Sequence, residues 1–133
     1  MISNYKGIIK CIMEDFQHFT NPEFLILDPI HGLIINTYYN FAFNHETSGH
    51  ADLYLIEKWP EGTNHFINNN YLHFIERYNN RINNFKNYLN NTNNFITFII
   101  QFAHEENPND DCKELREAFA IKYPNLKYKI III

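Results

Sequence analysis

The sequence predicts a single α/β domain over residues 1–133, with a mixed sheet, a C-terminal parallel βαβ unit and a long amphipathic helix packed on the sheet. First, apolar residues recur at helical spacing over residues 71–89. Second, two apolar segments, 95–102 and 126–133, flank another helical pattern, as in a βαβ unit. Third, 133 residues, 45% of them hydrophobic, are enough for one buried core.

The first predicted element is a helix over residues 6–19, which carries an apolar stripe made of Ile8, Ile12, Phe16 and Phe19. Pro22 follows and breaks the helix, and residues 24–27 then predict a strand. The segment "DPIHG" at 28–32 has the composition of a turn. The aromatic and branched residues of 33–43 favour a hairpin or two short strands.

Residues 44–64 are expected to be mostly irregular, because Gly49, Pro60 and Gly62 interrupt any regular pattern. The long helix follows, and its apolar seam consists of Tyr71, Ile75, Tyr78, Ile82, Phe85 and Leu89. The seam is short for a coiled coil, so packing against a sheet is favoured.

The C-terminal part predicts strand, helix and strand. The apolar run 95–102 is expected to be a strand buried on both faces. Asp111 and Glu114 form a D-x-x-E helix start, related to the capping box. The apolar face of that helix consists of Leu115, Phe119 and Tyr123. The strand over 126–133 is expected to pair parallel with the first.

Composition excludes several classes of protein. A net charge of −4 argues against nucleic-acid binding, which needs a basic surface. The longest apolar runs are far shorter than the roughly 20 residues of a membrane-spanning helix. Cys11 and Cys112 are expected to be reduced thiols, which predicts a cytoplasmic location. The chain has four glycines and no glycine-rich phosphate loop, so no cofactor is predicted. The expected partner is an unknown protein or small molecule.

The segment "FNHETSGHADLY" at 43–54 resembles a zinc-protease motif, but its spacing differs. His45 and His50 are five residues apart, whereas H-E-x-x-H places its histidines four apart on one helix face. A third ligand would have to come from elsewhere in the chain, such as His31, Asp52 or His65. No metal site is therefore predicted, and the alternative for these histidines is a polar turn.

Two further pairs are candidate binding residues. His104 and Glu105 follow the strand 95–102, and ligands of parallel sheets bind beyond the carboxyl ends of strands. An ordinary strand-to-helix loop is the alternative. Arg77 and Arg81 are four residues apart on the long helix, where they either clamp an anion or hold the acidic loop. An exposed pair of little energetic value is the third interpretation. His73, on the same helix, is expected to be solvated.

The order of several short motifs resembles one known family. These motifs are "DFQHF" at 15–19, "FNHE" at 43–46, "RYNNRINNF" at 77–85, "FITFII" at 95–100, "ELREAF" at 114–119 and "KYPNLKY" at 122–128. The chain resembles, over most of its length, a family of unknown function that is classed with the papain-like cysteine peptidases and occurs in bacteria and large DNA viruses.

The resemblance implies that His45 is the base of a Cys–His pair and that Glu46 occupies the position of the family's Asp. The family's cysteine lies in a Gly-x-x-Cys segment before the first helix, so the chain is expected to be a shortened member that acts by binding. One alternative is a cysteine-dependent hydrolase with Cys112 as its thiol, since a helix start lowers thiol pKa. Another is a nucleotide- or sugar-binding fragment of a Rossmann-like transferase. Cys11 is expected to be a small buried hydrophobe.

Overall fold

The structure of the protein, a computed structural model, describes residues 1–47, 59–102 and 111–133. Within these residues the elements are α1 (Tyr5–Met13), β1 (Leu25–Asp28), β2 (Leu33–Asn36), β3 (Phe41–Phe43), α2 (Asn68–Asn90), β4 (Phe95–Ile100), α3 (Lys113–Lys122) and β5 (Lys127–Ile132). The predicted α/β class is confirmed. No helix in this part of the chain has the length and apolar character needed to cross a bilayer.

Helix α1 is shorter than predicted. It ends at Met13 instead of residue 19, because Asp15 and Phe16 have φ angles of 56° and 61°, in the left-handed region. The segment after the helix still turns its aromatic side chains inwards, and Phe19 is buried. The predicted apolar stripe is therefore correct in its residues but wrong in its helical extent.

The first three strands form an antiparallel sheet in the order β1-β2-β3. Asp28 pairs with Leu33 across the first hairpin, whose turn contains Gly32 at a φ of 62°. Asn36 pairs with Phe41 across the second. The turn at 28–32 and the two strands predicted within 33–43 are confirmed.

The buried Asn36 side chain connects this sheet to the segment after α1. Its amide nitrogen donates to the carbonyl oxygens of His18 and Phe19, at 2.8 and 3.0 Å. Its amide oxygen accepts from the backbone N–H groups of Tyr38 and Tyr39, at 3.1 and 2.9 Å. All four hydrogen bonds available to the amide are made, as its complete burial requires.

The long helix α2 packs against the antiparallel sheet, as predicted. Residues 69–71 have left-handed backbone angles, so the regular helix begins after them. Phe74 and Tyr78 contact the Phe43 ring edge to face, with ring centroids 4.9 and 4.8 Å apart. Phe74 is fully buried although it lies outside the predicted seam.

Strands β4 and β5 form a parallel pair with α3 between them in sequence, which confirms the βαβ unit. The prediction that β4 is buried on both faces is wrong. Phe95 and Ile99 are 64% and 65% exposed. Within the described residues this sheet has two strands, and the side chains of α3 cover one face of it. The five described strands thus form two sheets.

The predicted D-x-x-E start of α3 is also wrong. Cys112 occupies the N-cap position with a φ of 58°, and it makes no side-chain capping hydrogen bond. Asp111 instead pairs with Arg116, whose Nη2 lies 3.2 Å from Oδ2 of the carboxylate. The predicted apolar face is confirmed, because its three residues are all buried: Leu115, Phe119 and Tyr123.

The buried side chains form two apolar cores, and both α1 and α2 take part in each. The first core includes Cys11, Phe19, Leu25, Ile34, Phe41, Phe43, Phe74 and Tyr78. The second core includes Ile12, Leu89, Cys112, Leu115, Ala118, Phe119 and Tyr123. Neighbouring residues of α1, Cys11 and Ile12, therefore belong to different cores. The two helices connect sheets that do not pair with each other.

Substituting Gly7 with alanine should destabilise the protein, although alanine is the better helix former. Gly7 lies in α1 beneath the Asn4 cap, whose Oδ1 accepts from the Gly7 N–H at 2.7 Å. A Cβ atom on Gly7 would overlap the carbonyl oxygen of Tyr39. We expect Gly7→Ala to lower the free energy of unfolding by about 1–3 kcal/mol in urea denaturation.

The matched control is Lys6→Ala, an exposed position in the same helix. It should change the free energy of unfolding by less than about 0.5 kcal/mol. A Gly7→Ala protein at least as stable as the wild type would show that α1 does not approach the β2–β3 turn this closely.

Candidate functional site

A cavity of about 730 Å³ lies between the two cores. Phe19 and Phe41 line it from the first core, and Leu115 and Phe119 line it from the second. Ile8 of α1, which contacts both cores, also lines it. This volume and these apolar walls are typical of a small-molecule site.

One part of the lining is polar and consists of five residues from two places in the chain: His45, Glu46, Arg77, Tyr78 and Arg81. The first two follow β3 directly, and the other three lie on two successive turns of α2. Because the Phe43 ring packs on α2, the chain that leaves β3 starts beside that helix.

Glu46 is the centre of this polar group and is only 1% exposed. Its Oε1 accepts a hydrogen bond of 2.9 Å from the Tyr78 hydroxyl. The same oxygen lies 3.6 Å from Nε of Arg77 and 3.8 Å from Nη1 of Arg81. Its Oε2 is buried and accepts from no donor among the described residues. The carboxylate is thus compensated on one oxygen, and the other can still accept.

The two arginines are less buried than the acid that they face, with side chains 33% and 53% exposed for Arg77 and Arg81. Each guanidinium lies 5.1 Å from the centre of an aromatic ring, that of Phe66 for Arg77 and that of Tyr78 for Arg81. The sequence offered three interpretations of these arginines. The structure shows the arrangement in which they lie beside the acidic segment after β3. An anion clamp stays a prediction.

Tyr78 was identified from the sequence only as part of the α2 seam. Burial, followed by the charge and the hydrogen bond of Glu46, raises the pKa of its phenol. A buried tyrosine hydroxyl needs a hydrogen-bond partner. A tyrosine in an apolar seam, next to Arg77 and near Arg81, was the signal for a buried acid opposite it.

His45 lines the cavity and is exposed at its surface. Cys11 lines the same cavity, and burial, followed by the charge of Glu14, raises the pKa of its thiol to about 12. At neutral pH this thiol is therefore protonated and a poor nucleophile. Cys112 is fully buried in the second core and is not among the lining residues. The structure brings His45 to the cavity without Cys112.

His104 and Glu105, predicted as binding residues, lie outside the described residues, as do His50 and Asp52. The residues that lead to His104 and Glu105 are described as far as position 102, and residues 99–102 line the cavity. The carboxyl end of β4 therefore faces the cavity, where ligands of parallel sheets bind.

A separate group of possible metal ligands consists of Glu61, His65 and His73, which offer ligand atoms within 4.8 Å of one another. None of the three lines the cavity. His73 was expected to be solvated, but its ring is half-buried and stacks on His65. From the sequence, His65 was named only as a possible third ligand for His45 and His50, and Glu61 and His73 were not named as ligands.

Tyr78→Phe should make the protein less sensitive to alkaline pH. The folded chain keeps the Tyr78 proton above pH 10, the ordinary phenol pKa, where the unfolded chain loses it. Stability from this group is therefore complete below about pH 10 and is lost as the pH rises further. Urea denaturation between about pH 9.5 and 11.5 should show a decline that is shallower by up to about 1.4 kcal/mol per pH unit in the variant.

The control for this measurement is Tyr88→Phe, because Tyr88 lies on the same helix with its ring largely exposed. Its decline should match that of the wild type. Equal declines in the Tyr78 variant and the wild type would contradict a buried Tyr78 phenol beside the Glu46 carboxylate.

Comparison with known proteins gave no match. No family model matches the chain. No curated protein and no solved structure matches it either.

Proposed function

We propose that the protein binds a small amphipathic anion, with its apolar body in the cavity and its anionic group beside Arg77 and Arg81. The observation that carries this proposal is the cavity itself, which joins apolar walls to a polar group with two guanidiniums. Pockets of this kind bind through apolar area and gain orientation from a few polar groups.

The charges of the polar group favour an anion. Two guanidinium cations face one carboxylate, which leaves a formal charge of +1 for Arg77, Arg81 and Glu46 together. Both arginines reach solvent, so each has N–H donors for a ligand in addition to its contact with Glu46. Guanidinium forks suit carboxylate and phosphate oxygens, which they bind with charge-assisted hydrogen bonds.

Oε2 of Glu46 predicts that the ligand also carries a hydrogen-bond donor. A buried acceptor without a donor costs about 1–3 kcal/mol. A hydroxyl or amino group next to the anionic group of the ligand would supply the donor that Oε2 lacks among the described residues. We therefore expect an amphipathic acid with such a substituent to bind more tightly than the unsubstituted acid.

The state of the thiols supports binding over cysteine-dependent hydrolysis. The raised pKa of Cys11 keeps its thiol protonated, and Cys112 is not among the lining residues. The proposed link to the papain-like family rests on the order of the sequence motifs, and the positions of His45 and Glu46 in the cavity lining support it. The proposal includes a reducing compartment such as the cytoplasm, supported by two buried cysteines that form no disulfide.

Decanoate should bind to the purified protein more tightly than 1-decanol, because only the acid engages the guanidiniums. Arg81→Gln should weaken decanoate binding by about 10-fold or more and leave 1-decanol binding nearly unchanged. Isothermal titration calorimetry of each ligand at low ionic strength measures both affinities. The preference for the acid should decline with added salt, since Arg81 is half exposed.

The matched control is Arg116→Gln, which removes the same charge from a partly exposed residue that does not line the cavity. It should keep the preference for the acid. The proposed anion site is wrong if decanoate and 1-decanol bind with equal affinity. It is also wrong if Arg81→Gln and Arg116→Gln weaken decanoate binding by the same factor.

A further inference from the structure

We propose that Glu61, His65 and His73 form a binding site for a divalent transition-metal ion, with Zn²⁺ as its representative. This site is separate from the cavity, and its three ligands lie together without the proposed amphipathic ligand. Two imidazoles and a carboxylate are a ligand set that zinc sites in proteins use.

The three side chains already lie close together. Nε2 of His73 is 3.7 Å from Oε1 of Glu61. The rings of His65 and His73 are stacked, with centroids 4.1 Å apart and planes 8° from parallel. Two imidazoles and a carboxylate at one place form a group that a cation would stabilise.

The local backbone explains how Glu61 and His65 meet. They flank a 3-10 turn, Gly62–Asn64, in which the His65 N–H donates to the Gly62 carbonyl at 3.1 Å. Gly62 has a φ of 68°, which a glycine adopts without strain. On either side of the turn in sequence, Trp59 and Phe66 are buried, and their rings pack edge to face at 4.9 Å. This contact between the flanking residues limits the freedom of the turn.

Glu76 orients the second histidine. Its Oε2 lies 3.2 Å from Nδ1 of His73, one turn away on α2. A carboxylate on one imidazole nitrogen fixes the tautomer and directs the other nitrogen towards a metal. Nε2, the other nitrogen of His73, is the one that faces Glu61. Glu76 is therefore a positioning residue of the proposed site.

His65 has an unused ring nitrogen. Its Nδ1 is buried and has no hydrogen-bond partner among the described residues. Burial, followed by the neighbouring His73, lowers the pKa of His65. A ring nitrogen without a partner is available to a metal ion.

Metal binding requires a small rearrangement. Zinc bonds of about 2.0–2.1 Å place tetrahedral ligand atoms about 3.3 Å apart, closer than the present spread. The stacked rings must tilt so that their nitrogens converge. Glu61 and His73 have side chains about one-third exposed, which leaves them room to rotate. Three protein ligands leave a further position for water or another ligand.

Calorimetric titration of Zn²⁺ into the untagged, chelator-treated protein tests the site. The wild type should bind one ion with an affinity that His65→Gln and His73→Gln each weaken by at least about 10-fold. His31→Gln is the matched control, because His31 is also paired with an acid, Asp28, but lies outside this group. It should keep the wild-type affinity.

Two further measurements distinguish a built site from surface binding. Glu76→Gln should weaken Zn²⁺ binding while the thermal unfolding curve without metal stays close to that of the wild type. Co²⁺ should give the intense visible bands of a four-coordinate ion in the wild type, and these bands should be lost in His73→Gln. Binding that all three histidine variants retain, or no binding of Zn²⁺ to the wild type, would overturn the proposal.

Discussion

One buried carboxylate, that of Glu46, constrains the arrangement of β3 and α2. Removing a carboxylate from water costs several kcal/mol unless charges and hydrogen bonds compensate it. Here the compensation comes from α2 alone among the described residues, through the Tyr78 hydroxyl and two guanidiniums. Losing one partner would leave a buried charge poorly compensated. The end of β3 is thus held against α2 by electrostatics as well as by aromatic packing.

The cavity is a consequence of having two cores. The antiparallel sheet and the parallel pair share no strand pairing within the described residues, where α1, α2 and Phe16 pack against both cores and connect these two units. Where two separately packed cores meet, side chains from opposite sides need not interdigitate. Protein interiors otherwise pack at crystal density, and the apolar walls of a cavity that is open to solvent lack the protein contacts of a packed core. A ligand with an apolar body would restore those contacts, so the energetics of the fold agree with a binding role.

Local patterns in the sequence predicted where the helices and strands lie better than they predicted where these elements end and how far they are buried. The α2 seam from Ile75 to Leu89 and the turn at 28–32 depend on neighbouring residues, and both are correct, whereas Tyr71 precedes the regular helix. The end of α1 was not predictable from periodicity, because Asp15 and Phe16 leave the helix while their segment keeps its apolar spacing. The exposure of β4 depends on how many strands flank it, which its own residues do not encode. Within the candidate site, Arg77 and Arg81 were named from their spacing, whereas Tyr78 was assigned only to the α2 seam.

The two proposed sites are linked through α2. His73 and Arg77 are four residues apart, so they lie on the same face of the helix and about 6 Å apart along its axis. This separation is below the Debye length of about 8–10 Å at physiological salt. A divalent cation at His73 would therefore add positive potential where Arg77 faces the anion. Linkage then fixes the sign: each ligand raises the affinity for the other by the same factor.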